Sequence, residues 1–443
     1  MKAAAGALLE GFARLETKRN GAQPIWLKGL RQAAFQWVSE RGFPSTKDEA
    51  WKYTRVGAIL EVPFKPAEPG MGLRLSHEAI GQLAANVGGT RLTFVNGYFA
   101  PALSSLSQLP KGVKVTSLAS ALIEEGERLE PILSRLFRDQ PHAFTALNAA
   151  LVEDGAFVEI PPNAVLNEPI HLLYLTDTNA SALASHPRSI ILAGAGSRAT
   201  IIESYAGILG DVYLTNAVTE VVLDEGATVE HYKLQNETET AFHVALLNVR
   251  QNAGSRFSSF LLALGSSIGR HEVKVRLEGK GATVLLNGLY MPHGEQHLDN
   301  PTTIEHTSPA CTSRELYKGV VDGHGRGVFD GRIVVHPGAA KTDASQTNKN
   351  LLLSEWAQVD TRPRLEIFAD DVKCAHGAAV GQLDEDAVFY LRSRGVPRLV
   401  ARSLLTYAFV REVVQLIDLG SLRSWVETLV AARLPGGAVE VAA

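Results

Sequence analysis

Apolar and polar positions along the chain fall into three textures. Over residues 1–150 the spacing is mainly helical. In "IWLKGLRQAAFQWVSERGFP", Leu27, Leu30, Ala34 and Trp37 recur at intervals of three and four before Gly42 and Pro44 stop the pattern. One strand-like run, "RLTFVNGYF", interrupts this zone, and "SALIEEGERLEPILSRLF" returns to helix. From 151 to 380, β-branched runs, glycines and Asn/Asp turns dominate, and long amphipathic helices disappear. Over 381–443 helix returns. Asp384 is placed to cap a helix, with Glu385 and Asp386 in its first turn, Arg392 and Arg394 in its last, and Gly395 just beyond. Pro397 starts the next helix, whose stripe runs Leu405, Phe409, Val413 and Leu416, and Ser421 opens a last one.

The middle zone carries a weak internal echo. "GSRATIIES", "GATVEHYKL", "GSRFSSFLL" and "GATVLLNGL" begin at Gly196, Gly226, Gly254 and Gly281, spaced 30, 28 and 27 residues apart. A period of this size in strand-textured sequence predicts a β-solenoid, whose stacked coils bury one shared core. A two-sheet antiparallel sandwich is the alternative. Near the end of the zone, Gln346, Asn348 and Asn350 alternate and so share one strand face, as either a solvated face or an amide ladder capping the stack. The C-terminal helices are apolar on more than one face, with Val400, Leu404 and Val414 off the main stripe. That surplus predicts docking on the solenoid end or on a partner.

Composition narrows the class. The chain has 443 residues, 45% hydrophobic and 20% charged, and a net charge of −4 gives no footprint for nucleic acid or an anionic membrane. Two cysteines make no disulfide framework and fit a reducing, cytoplasmic setting. Glu10 and Arg14 interrupt the Ala-rich start before a signal-type apolar core forms, and no run is long enough to span a bilayer. The chain lacks a GxxxxGK[ST] loop and an HExxH motif, so any ATP hydrolysis in its work belongs to another chain.

Two groups of residues hold candidate chemistry. Segment 293–336 contains His293, His297, His306, Cys311, His324 and His336. On a strand, His293 and His297 would stand about 13 Å apart, too far to share a metal without a turn, so a polar strand face is the better reading. In "ADDVKCAHG", Cys374 and His376 are two apart and share a strand face. A nearby imidazolium lowers a thiol pKa, and a neutral imidazole ligates iron or zinc. A free cysteine is nonetheless most often a small buried plug, and two ligands do not close a metal site. Ligands from a second chain would be needed. Asp370 and Asp371 also admit an acid/base reading on a carbohydrate-active solenoid, against which stands an aromatic content of only 7%.

The segment "ADDVKCAHGAAVGQLDEDAVFYLRSRG" closely resembles the signature of the SufD branch of the SufB/SufD family, part of the SUF iron–sulfur cluster assembly system. "SRELYKGVVDGHGRGVFDGRIVVHPGAAKTDASQTNKNLLLS" is similar to the segment that both branches share, and "GFPSTKDEAWKYT" to the N-terminal motif of the SufD branch. The resemblance implies a right-handed parallel β-helix core flanked by N- and C-terminal helical domains. It implies a non-catalytic subunit that pairs with a SufB-like chain, or with a second copy when isolated. It implies docking of the ABC-type ATPase SufC on the C-terminal helices, through Phe389, Tyr390, Leu405, Phe409 and Val413. It also implies that His376, with Cys374 as a weaker companion, meets a transient cluster or iron at the shared interface, with no cofactor held tightly by the isolated chain.

Overall fold

The computed structural model describes residues 23–70, 77–139, 142–178, 182–207 and 212–436, together with Leu8, Gly11, Phe12, Ala13, Leu15 and Glu16. The reading of the first residues as unlike a signal rests on Glu10 and Arg14, which lie outside the described residues.

From Ala156 to Gln382 each coil delivers one strand to each of two sheets, so that strands adjacent in sequence never pair with one another. Every pairing in this stretch is parallel. The result is a β-solenoid of about seven turns. Alternation along each strand sends every second side chain inward. In-register stacking therefore builds inward columns, such as Ala199, Val229, Phe257, Val284, Ser313, Ala344 and Cys374. These columns form the largest core cluster, with Phe257, Val284, Leu286, Leu277 and Ile333 fully buried.

The glycine echo is one corner of the coil. Gly196, Gly226, Gly254 and Gly281 all lie at φ between +62° and +72°, where an L side chain is disfavoured. The corners also bond to one another. The Gly226 amide donates to Ala253 O at 2.9 Å, the Gly254 amide to Lys280 O at 2.9 Å, and the Gly281 amide to Pro309 O at 3.1 Å. Ala310, Lys341 and Asp371 continue this corner at φ 57°, 61° and 55°.

At the N-terminal side, helix Ile25–Arg41 buries Leu27, Leu30, Ala34 and Val38, leaves Trp37 half-buried, and ends where the Gly42 amide donates to Val38 O at 2.7 Å. The strand-like run forms Thr90–Val95, which pairs parallel to Ile170–Thr176 and turns back into Tyr98–Phe99. It thus covers the first edge of the ten-stranded sheet, an edge that would otherwise be free to pair with another chain. At the other side, helix Glu385–Ser393 is capped by the Asp384 carboxylate, which accepts from the Asp386 amide at 2.9 Å, and Gly395 follows at φ 88°. Helices Arg398–Val414 and Gly420–Ala432 come next, the last starting one residue before Ser421.

These helices dock on the outer face of the ten-stranded sheet rather than on the solenoid end. Val410, Val413, Ile417, Val426 and Val430 pack with Tyr232, Leu262, Leu289 and Leu351. Lys318 pins the contact. Its buried ammonium donates to Phe409 O at 2.7 Å, pairs with Glu412, and lies 4.2 Å from the centre of the Phe409 ring.

Candidate functional site

The solenoid ends in strand Lys373–Gln382, which pairs with Asp343–Leu352 on one side and, among the described residues, with nothing on the other. Gln358–Thr361 and Arg364–Ile367 end the opposite sheet. "KCAHGAAVGQ" keeps this final strand low in profile, and its side chains are nearly all exposed. Trp356, Ile367, Phe368 and Val380 are exposed large apolar residues in the same terminal stretch. Along the flank, Arg326 pairs with Asp360 at 2.6 Å, Arg332 with Glu366 at 2.5 Å, and Arg364 with Asp330 at 2.8 Å.

Cys374 and His376 both lie on the inward face of this last strand, directly over Ala344 and Gln346. Cys374 is half-buried and packs against the core, as do Leu365, Ala369 and Val372. Burial pushes its thiol above the ordinary value of 9, and the Asp343 charge adds to the shift. That is the opposite of an activated nucleophile. His376 is exposed. Of the pair, the imidazole is the group offered to a visitor.

Beneath them is a buried polar layer. Gln346, Asn348 and Asn350 face inward and are at most 4% exposed, so the solvated-face reading fails. Asn348 Nδ2 donates to the Tyr317 carbonyl at 3.1 Å, and Asn350 Nδ2 to Asn348 Oδ1 at 2.6 Å. The Tyr290 hydroxyl donates to Asn350 Oδ1. Gln346 Nε2 donates to Glu315 Oε2 at 2.5 Å. Burial pushes the Glu315 carboxyl up to about 7. These residues form an amide ladder, with one further strand laid over it.

The remaining candidates are scattered. His293 pairs with Glu239 at 3.0 Å, His297 bonds to Thr54 Oγ1 at 2.9 Å and His306 to Ser313 Oγ at 2.9 Å. His324 stacks on Trp356, and His336 pairs with Glu305 at 3.3 Å. Cys311 is buried. Among the described residues, no group of three or more His, Cys, Asp or Glu side chains is placed to hold a metal. Asp370 and Asp371 are neighbours on the exposed last corner, Asp371 in the left-handed position that Gly281 holds three coils earlier. On the C-terminal helices, Phe389 and Tyr390 are exposed, Leu405 and Phe409 half-buried. Val413 corrects the sequence expectation. It is fully buried against the sheet and presents nothing to a partner.

Sequence reasoning missed Glu315, because a lone acidic residue on a strand gives no sign of facing inward. It also missed a second buried cluster in earlier coils. There burial pushes the Glu203 carboxyl up, but Lys233 and the His231 bond at 3.2 Å outweigh that and hold it down to about 2. Alternation of His231 and Lys233 around Tyr232 was the available signal.

What the fold and its open end define is a β-helix scaffold, a long core whose last strand has, among the described residues, no partner on its outer edge, with helices docked on one face. Residues 175–409 match the family described as "SUF system FeS cluster assembly, SufBD core domain", and residues 8–172 match the SufBD protein N-terminal region. The chain is 32% identical to an iron–sulfur cluster assembly SufBD family protein of Synechocystis, over 94% of this chain and 92% of that relative. It is 32% identical to the iron–sulfur cluster assembly protein SufD of Escherichia coli, over 92% and 93%. It is 29% identical to SufD of Bacillus subtilis, over 88% and 90%. The chain belongs to the SufBD family, and its general role is iron–sulfur cluster assembly.

Proposed function

We propose that the chain is a SufD-type, non-catalytic subunit of a cytoplasmic SufB–SufC–SufD complex. A SufB-like chain pairs with the open end, and His376 serves there as one ligand for iron or a nascent cluster, the rest coming from the partner. The observation that carries this reading is the final strand, whose outer edge has no partner among the described residues, with His376 exposed on it. A free parallel edge supplies main-chain donors and acceptors to a second β-helix, and the same edge would take a second copy when the chain is alone. One imidazole and one high-pKa thiol are half of a ligand set, which a second chain completes. Iron and sulfide are cargo here, bound in passing.

The C-terminal helices carry the ATPase SufC, with exposed Phe389 and Tyr390 as its contacts, and Lys318 transmits their movement to the sheet. ATP binding drives that movement only through different affinities for two arrangements of the complex. The test is His376→Ala in the co-expressed, purified complex. Cluster formation should be abolished while the three chains still co-purify. An unchanged cluster yield overturns the assignment of His376, and failure to recover a SufB-like chain and an ABC-type ATPase overturns the complex.

A further inference from the structure

Glu315, Gln346 and His376 occupy one inward column on three consecutive coils, Glu315 in register with Gln346 and Gln346 with His376. Register partners on neighbouring strands stand about 4.8 Å apart and point to the same face. Gln346 is 1% exposed. Its Nε2 donates to Glu315, and above about pH 7, where that carboxyl is ionised and only accepts, the bond fixes the amide with its NH2 toward Glu315. The other end, Gln346 Oε1, is buried and has no hydrogen-bond partner among the described residues. Leaving such an acceptor unpaired is costly, so it calls for a donor.

The opposite sheet makes room for this arrangement. A Cβ at Gly331 would lie 2.1 Å from Gln346 Nε2 and 2.8 Å from the Phe329 ring, so the glycine lets the glutamine lie across the core. His376, one rung above, is the nearest side chain of the column that carries an N–H donor, and it is exposed.

We propose that Gln346 is a positioning residue for His376. Its Oε1 accepts the imidazole N–H when the ring lies over the end of the solenoid. The bond fixes one tautomer and leaves the other ring nitrogen, with its lone pair, facing outward. Histidine ligands are ordinarily oriented through their second nitrogen in this way. Glu315 acts at one remove, by holding the amide the right way round. The purpose of the arrangement rests on His376 being a ligand, but the geometry does not.

The test uses the full chain, labelled with 15N-histidine and free of metal, at mildly alkaline pH. Long-range 1H–15N spectra read the tautomer ratio of His376, its signal assigned by loss in His376→Ala. One tautomer should dominate in the parent chain. Gln346→Leu should shift the ratio by about fivefold, the worth of one ordinary hydrogen bond. Gln346→Met, with similar reach and no acceptor oxygen, gives the same comparison if leucine is not tolerated. The exchanged pair Glu315→Gln with Gln346→Glu puts an acceptor back below His376 and should restore the ratio. A ratio unchanged in a folded Gln346 variant overturns the proposal. Because no metal is present, that failure is separate from a failure of His376→Ala to lower cluster yield, which would overturn only the ligand reading.

Discussion

At the residue scale, the "KCAHG" segment separates two side chains that spacing alone leaves equivalent. Cys374 and His376 were legible as a pair because two positions on a strand share a face. Which of them is available depends on what lies beneath, and that was not legible. Cys374 sits at the margin of the core, while His376 stands over an amide with a spare oxygen. Glu315 and Gln346 are 31 and 30 residues from their next neighbours in the column, and only the solenoid register brings the three together. A prediction follows from the thiols. Burial raises both Cys374 and Cys311, so little thiolate exists at neutral pH. Cys374 should alkylate about tenfold more slowly than a small free thiol at pH 7, and Cys311 only on unfolding. Timed iodoacetamide labelling read by mass spectrometry checks this. A Cys374 faster than the free thiol would mean an activated nucleophile after all.

At the element scale, the repeat was visible only where the corner happened to be glycine. The sequence shows four coils at Gly196, Gly226, Gly254 and Gly281, then loses the period because Ala310, Lys341 and Asp371 adopt the same left-handed backbone without its usual residue. Capping was legible for a simpler reason, since Asp384 and Gly395 act on groups within a few residues of themselves. Val413 was not, because a helix apolar on several faces does not say which face meets the sheet and which a partner. The corner also makes a pair of stability predictions. A non-glycine residue in the left-handed region costs about 1–2 kcal/mol, against about 0.5–1 kcal/mol for the extra unfolded freedom of glycine. Ala310→Gly should therefore stabilise the fold by about 0.5–1 kcal/mol. Gly281→Ala should destabilise it by about 1 kcal/mol, purely through the backbone, since no atom lies within 4 Å of the added Cβ. Urea midpoints at unchanged m-value measure both. Equal midpoints for the two variants would show that the corner is not under this strain.

At the scale of the whole molecule, the polar groups sealed inside the solenoid give its stability two opposed dependences on pH. Burial lowers His171 and His186 to about 3, and His142 and His306 to about 4, so all four are neutral in the fold. Their folded pKa values lie below the unfolded value near 6.5, so their contribution is complete above that pH and is lost as pH falls toward 4. Glu315 works the other way. Its folded value of about 7 lies above the ordinary 4.5, so its contribution is complete below about 4.5 and is lost as pH rises through 7. The amide variant Glu315→Gln removes only the second dependence. Relative to the parent chain, the variant should gain up to about 3 kcal/mol of stability between pH 4.5 and pH 7, while both still lose stability together below pH 6. Denaturant titrations across that range measure the difference curve. A flat curve would mean that Glu315 is ionised in the fold at neutral pH. The column under His376 would then end in a buried charge rather than in a neutral carboxyl.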